Sequence, residues 1–129
     1  MAMPKKEEIE TLLTRSKRFF ETAEHQTSVG YYDLAMFSLE QALQLFLKAR
    51  LLENGVDYPH THSVTSLLEM LGNVSRGKEQ VIRTLLEKHL TELGLLEDAY
   101  ITSRYVPREY RREEVKRVTK SVRELMENV

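Results

Sequence analysis

Apolar residues recur at spacings of three and four along most of the chain, a pattern typical of helices with one buried face. The first repeat runs from Glu7 to about His25, and the second runs from about Tyr31 to Glu53. A short third helix follows, with Thr61 or Ser63 as its predicted N-terminal cap and Gly72 as its end.

The second predicted helix is apolar around much of its circumference, so we expect it to contact more than one neighbour. Thr27 or Ser28 is the predicted cap at its start, and Asn54-Gly55 is a typical helix end. Its widest apolar face comprises Ala35, Met36, Leu39, Ala42, Leu43, Phe46, Leu47 and Leu51.

A fourth helix is predicted from about Lys78 to about Ser103, passing through Gly94, which weakens a helix by about 1 kcal/mol relative to Ala. Val106-Pro107 interrupts the pattern, because the residue before a proline avoids helical backbone angles. Pro107 itself suits the first turn of a fifth helix. The apolar positions of that helix are Val115, Val118, Val122, Leu125 and Val129.

These elements predict an all-α fold, an antiparallel up-down four-helix bundle with an additional short helix, in a single domain over residues 1–129. Short connections favour antiparallel neighbours. The apolar surplus on the second helix, together with Phe19 and Phe37, exceeds what one bundle covers, which favours a homodimer. Scattered surface apolar residues are the alternative explanation.

Composition excludes several classes of protein. The 129 residues include no Cys, which excludes disulfide frameworks, thiolate zinc sites and thiol catalysis. No apolar run approaches the roughly 20 residues needed to cross a bilayer, and the charged start does not resemble a signal peptide. We therefore expect a cytoplasmic protein with no membrane partner, and no motif indicates a cofactor.

The net charge of −1 is unevenly distributed. Residues 104–129 hold eight basic and five acidic residues, so this segment is predicted to present a basic face. A solvated helix with internal ion pairs is the alternative interpretation.

Three segments together resemble the HEPN domain family. The first is the second-helix stretch over residues 32–52, the second is Thr61-His62-Ser63-Val64 with the leucines that follow, and the third is the stretch over residues 98–107. Their order and spacing match the family over about residues 20–123. The resemblance implies a helical bundle, often dimeric, that binds or acts on RNA or nucleotides. It also implies a partner, a small nucleotidyltransferase, in a toxin-antitoxin-type pair of proteins.

In several branches of that family the protein is an RNA-cleaving toxin, marked by an Arg followed after four to six residues by a His. Arg104 best matches the family's Arg, but Glu109, Tyr110 and Arg111 stand where the His is expected. RNA cleavage without a metal needs a group that moves protons near neutral pH, a role suited to His. Arg stays protonated and cannot replace it as a base.

A binding surface is therefore the favoured interpretation of this segment. Guanidinium groups bind phosphate oxygens in pairs, aromatic rings stack on bases, and the start of the last helix offers free backbone N–H groups to an anion. Alternatively, Tyr100 and Tyr105 belong to the core and Arg104 pairs with a carboxylate such as Asp98. The candidate nucleotide- or RNA-binding residues are Tyr100, Arg104, Tyr105, Arg108, Arg111 and Arg112, with Tyr110 among them.

Two other pairs carry weaker signals. Arg83 and His89 match the Arg–His spacing formally, but six helical positions place the side chains about 120° apart, and His89 falls on an apolar face. His60 and His62 suggest a metal site, but only Asp57 lies nearby and zinc needs three or four ligands. We interpret His89 as a core residue and the loop histidines as structural, with no metal site.

Three functions follow. The first is a non-catalytic HEPN-like module that binds a nucleotide or RNA and partners a small nucleotidyltransferase. The second is a metal-independent ribonuclease that uses Arg104 with a proton carrier other than His. The third is a structural subunit that only docks a catalytic partner through an apolar face.

Overall fold

The chain folds as an all-α protein, as the periodicity predicts. The computed structural model describes residues 5–105 and 108–129; residues 1–4, 106 and 107 and the side chains of residues 103–105 lie outside this description. No strand occurs within the described ranges. The helices are α1 (Lys5–Ser28), α2 (Tyr32–Glu53), α3 (Val64–Val74), α4 (Glu79–Lys88), α5 (Leu90–Tyr105) and α6 (Arg112–Asn128).

Within residues 5–105 and 108–129, six helices replace the five predicted ones. The up-down order of the bundle stays a prediction. In the part of the chain that the structure describes, no helix combines the length and the apolar character that a membrane span requires.

Helix α2 lies at the centre of the molecule. It contacts α1, α3, α5 and α6, as its apolar circumference predicts. Leu39, Leu43 and Leu47 on this helix have no exposed surface. Burying a leucine side chain contributes about 1.5–3 kcal/mol each, so this row of leucines is a major source of stability.

The turn between α1 and α2 differs from the prediction. Thr27 and Ser28 do not cap α2; they end α1, where their hydroxyls donate to the carbonyls of Ala23 and His25. Tyr31 stands at the cap position of α2 and makes no side-chain capping bond there. Because α1 continues to Ser28, Thr27 and Ser28 belong to α1 and cannot cap α2, which begins at Tyr32.

The connection from α2 to α3 follows the predicted chemistry. Gly55 adopts a φ of +76°, the left-handed conformation that favours glycine after a helix end. Ser63 caps α3, and its hydroxyl accepts from the backbone N–H of Ser66 at 3.1 Å. Gly72 does not end α3, which continues to Val74. Gly72 instead lets α4 approach closely, since a Cβ atom there would lie 3.2 Å from Cγ2 of Ile82.

The predicted fourth helix is two helices, and they divide at His89 rather than at Gly94. His89 is buried, as expected for a core residue, and its Nδ1 lies 2.9 Å from the Ser121 hydroxyl on α6. We attribute the break to this contact, because it fixes the residue between two elements. Gly94, although the weaker helix former, stays inside α5.

The last helix begins later than predicted. Residues 108–110 are not helical, and α6 starts at Arg112. The break predicted at Val106-Pro107 and the role predicted for Pro107 lie outside the described residues. The five predicted apolar positions of this helix, Val115, Val118, Val122, Leu125 and Val129, are all buried.

We expect Gly94→Ala to raise the free energy of unfolding by about 0.5–1 kcal/mol, because alanine stabilises a helix interior and nothing lies within 4 Å of the added Cβ. The matched control is Gly72→Ala, where the same gain is opposed by the contact with Ile82. Urea unfolding monitored by circular dichroism measures both. A larger gain at Gly72 than at Gly94 would contradict the packing described here.

The contact between α4 and α6 predicts a pH dependence of stability. The Lys88 ammonium donates to Glu124 at 2.6 Å, and this bond, with a smaller contribution from His89, holds the pKa of the Glu124 carboxyl below its usual value. A lowered folded-state pKa stabilises the protein above the unfolded-state pKa, and that stability disappears as the pH falls through the folded-state pKa.

Glu124→Gln should therefore lower stability at pH 7 and flatten the decline of stability between about pH 5 and pH 3. Urea midpoints across this range measure the effect, and Glu127→Gln on the same helix is the control. If the stability of Glu124→Gln and of the native chain declined in parallel as the pH falls, the Lys88 contact would not contribute to the pH dependence of stability.

Candidate functional site

The predicted binding residues lie on the last turns of α5, on the connection to α6 and on the first turn of α6. Arg104 and Tyr105 are within α5, but their side chains lie outside the described residues. The expectation that Arg104 pairs with a carboxylate such as Asp98 falls on the same undescribed atoms. The site is therefore built from the residues around them.

Arg108 is half-buried and fixed by two neighbours. Its guanidinium carbon lies 4.3 Å from the centre of the Tyr110 ring, and Nη1 donates to the Tyr110 hydroxyl at 3.4 Å. Nη2 lies 3.7 Å from a carboxylate oxygen of Glu114. A cation over an aromatic face is held electrostatically, so Arg108 is an anchored side chain whose charge is partly balanced.

Tyr110 belongs to the core, with 6% of its surface exposed. Its hydroxyl lies 3.2 Å from the Thr102 hydroxyl on α5. Buried tyrosines normally hydrogen-bond their hydroxyl, and this contact ties the connection back to α5. The Tyr110 ring is therefore not available to stack on a base.

Arg111 and Arg112 are exposed at the start of α6. The expectation of free N–H groups at this end is only partly met, because a Glu114 carboxylate oxygen accepts from the Arg111 backbone N–H at 2.9 Å. Glu113 and Glu114 also place negative charge in the first turn, where the helix dipole favours it. The cationic side chains, rather than the backbone, are what this end of α6 offers an anion.

The basic face predicted for the C-terminal segment lies on the exposed side of α6. Arg112, Lys116 and Lys120 follow one another at four-residue intervals and are all exposed. Four residues advance a helix by about 6 Å, so the three cations form a row along its surface. Arg123 extends the row, but it pairs with Glu24 on α1 at 3.4 Å.

Tyr100 faces a different part of the molecule. It is half-buried, and its ring is nearly parallel to two others, with centroids 4.3 Å from His62 and 6.3 Å from Phe37. Thr102, which contacts Tyr110, lies two residues later and therefore about 200° around the helix. The structure thus separates Tyr100 from the pair formed by Arg108 and Tyr110.

Sequence reasoning missed the position of His62. The loop before α3 brings this exposed imidazole onto the Tyr100 ring, in the helix that also contains Arg104. The only signal in the sequence is the family-like segment that contains His62, because helical periodicity does not predict where a loop residue docks. Within residues 5–105 and 108–129, no three His, Asp or Glu side chains are grouped in a way that could hold a metal ion.

A row of polar side chains on α2 was also missed. Glu40 is fully buried and accepts hydrogen bonds from Gln44 at 2.6 Å and from Gln41 at 2.8 Å. Lys48 donates to Gln44 at 3.0 Å. Burial lowers the pKa of Lys48, and the nearby Glu40 carboxylate opposes that effect. The row places a buried carboxyl group on a helix whose buried positions the apolar pattern predicts to be hydrophobic.

An open cleft of about 480 Å³ lies beside Arg108. Its walls come from the turn before α2 and from the connection between α5 and α6; the lining residues are Gly30, Tyr32, Asp33, Arg108, Glu109 and Tyr110. Asp33 and Glu109 oppose the charge of Arg108, so the cleft is electrostatically mixed. We therefore expect the cleft to attract a phosphate group less strongly than the cationic row on α6 does.

The formal Arg83–His89 match is not a site. Arg83 is exposed and pairs with Glu79 at 3.1 Å, whereas His89 is buried against Ser121. The His89 Nε2 atom lies 3.2 Å from Glu124, although without hydrogen-bond geometry. The Arg83 side chain therefore lies at the surface and the His89 side chain in the core, in different directions, as their predicted 120° separation indicates.

Comparison with known proteins supports the resemblance noted in the sequence. No curated protein matches the chain. A family model described as the HEPN domain matches residues 9–129, which is nearly the whole chain and includes every helix from α2 onward. The chain therefore belongs to the HEPN domain family.

Proposed function

We propose that this chain is a non-catalytic module that binds a nucleotide or RNA through the cationic side chains at the start of α6 and along its exposed face. Membership of the HEPN family supports a role related to nucleotides or RNA. The binding residues proposed at the end of α5 and in the connection are Tyr100, Arg104, Tyr105 and Arg108.

The row of Arg112, Lys116 and Lys120 is the observation that carries this proposal. The three exposed cations repeat at about 6 Å along one side of a rigid helix, and Arg111 is exposed beside them. Neutralising consecutive phosphates releases condensed counterions, which supplies most of the affinity in sequence-independent binding. A row of this kind suits a strand better than a single phosphate.

The absence of a proton carrier at the expected positions supports a binding role. Glu109 is exposed beside Arg108, Tyr110 is buried in the core, and Arg111 is exposed at the start of α6. None of the three is a histidine, the side chain best suited to moving protons in this reaction. The segment therefore has the charge to hold RNA, without the imidazole that the family's nucleases place there.

A partner protein is part of the proposal. We infer a homodimer that pairs with a small nucleotidyltransferase in a toxin-antitoxin-type system. Several large apolar side chains are exposed, and apolar surface of this kind is what a protein contact buries. They include Tyr31, Leu34, Val81, Leu90 and Ile101. A purely structural docking role would use the same residues without the cationic row.

A second candidate function, metal-independent RNA cleavage with Arg104, is favoured by one observation. The His62 imidazole stacks on Tyr100, which precedes Arg104 by four residues, or one turn of α5. The hypothesis from the sequence assumed a carrier other than His. His62 offers an imidazole from a different part of the chain.

Alanine substitution at Arg112, Lys116 or Lys120 should weaken single-stranded RNA binding regardless of sequence. Each substitution should also reduce the dependence of log affinity on log salt concentration by about 0.7, the contribution of one phosphate contact to a single strand. Fluorescence anisotropy with a labelled oligonucleotide at several salt concentrations measures both effects. Arg83→Ala, which removes an exposed arginine from α4, is the control.

Unchanged salt dependence in all three variants would contradict the proposed surface. If the native chain fails to bind RNA or a nucleotide even at low salt, the binding function itself is wrong.

The ribonuclease function is tested separately by incubating RNA with the chain in EDTA. The proposed non-catalytic module leaves the RNA intact at high protein concentration. Cleavage that disappears in Arg104→Ala and His62→Ala, and persists in His60→Ala, would establish the second function instead. Gel electrophoresis of the products is the measurement.

A further inference from the structure

We propose that His62, supported by Tyr100, forms a stacking shelf for a nucleobase. This inference rests on the proposed binding function and deepens it, because it assigns the base to one place and the phosphates to another. The cationic side chains of α6 recognise the charge of the ligand, whereas the shelf recognises its aromatic ring.

The geometry of the two rings supports a shelf. Their centroids lie 4.3 Å apart and their planes differ by 20°, so one face of the imidazole is covered by the Tyr100 ring. His62 is nevertheless exposed. Phe37, with its centroid 6.3 Å from that of Tyr100, extends the aromatic packing toward α2. An exposed ring on a half-buried one is the arrangement on which a base stacks.

The shelf is held in place before any ligand arrives. The hydroxyl of Ser63, the next residue, donates to Oε1 of Glu97 on α5 at 2.5 Å. Glu97 Oε1 also accepts from the Thr65 backbone N–H at 3.1 Å. On the other side, the Thr61 hydroxyl accepts from the Ser63 backbone N–H at 3.1 Å. Glu97 and Tyr100 lie one turn apart on α5, so one helix holds both the loop and the ring. A surface already ordered loses little conformational freedom on binding.

The position of the shelf suits a strand that also reaches the cations. Tyr100 lies on α5, and the chain continues from that helix through Arg108 to the exposed Arg111 and Arg112. Because Tyr100 and the Tyr110 connection lie on different sides of α5, we assign the base and the phosphates nearest α6 to different nucleotides. The ligand class is therefore a short single-stranded RNA rather than a lone nucleotide.

Two labelled ligands separate the contributions of base and phosphate. One is an eight-nucleotide oligoadenylate, and the other is an abasic ribose-phosphate strand of the same length and charge. The native chain should bind the oligoadenylate about 5- to 150-fold more tightly, the range expected for stacking of one base. His62→Ala should abolish this difference, and His62→Phe, which keeps an aromatic face, should retain it.

His60→Ala is the matched control, because His60 is an exposed histidine in the same loop and should leave the preference intact. Equal loss in His60→Ala and His62→Ala, or no preference in the native chain, would overturn the shelf. If the native chain binds both ligands equally and Arg112→Ala weakens both, the binding function stands and only the shelf fails. If neither ligand binds, both proposals fail.

Two further outcomes would also overturn the shelf. RNA cleavage by the native chain that is lost in His62→Phe, with affinity retained, would identify His62 as a proton carrier. A change in oligomeric state in His62→Ala, measured by analytical ultracentrifugation, would identify the surface as a contact between protein chains.

Discussion

The burial of α2 among four other helices is the constraint on which the rest of the structure depends. Leu39, Leu43 and Leu47 leave no surface for solvent, so the helices around them have little freedom to shift without opening a cavity. The functional candidates lie on the surfaces that this packing leaves outside: the loop before α3, the end of α5 and the exposed side of α6. Their relative positions follow from how those helices seat on α2.

The packing of α5 places Tyr100 and Tyr110, two candidate residues that are close in the sequence, on different surfaces. Tyr100 faces His62 and Phe37, whereas the contact of Thr102 with Tyr110 lies on another side of the same helix. A cluster drawn from proximity in sequence becomes two surfaces, one aromatic and one cationic. The proposed RNA ligand would use both surfaces, with a base on the aromatic one and phosphates on the cationic one.

Most of the helical content and core could be predicted from the sequence, because apolar spacing reports directly on which residues a helix buries. The break at His89 could not, since it depends on Ser121 from a distant segment. Glu40 could not be recognised as buried, because a single acidic residue in a leucine-rich helix is compatible with a solvent-facing position. The positions of Tyr110 and His62 could not be predicted for the same reason: their partners are tertiary, and no local pattern encodes them.

The capping of α3 has a consequence for how the chain acquires its structure. Ser63 begins α3, but the carboxylate that completes this cap, Glu97, is 34 residues away on α5. The first turn of α3 therefore lacks part of its hydrogen bonding until the intervening segment has closed a loop of that length, at an entropic expense that grows with its logarithm. The start of α3 therefore reaches its final order only after α5 has docked, and the aromatic loop before it depends on the same docking.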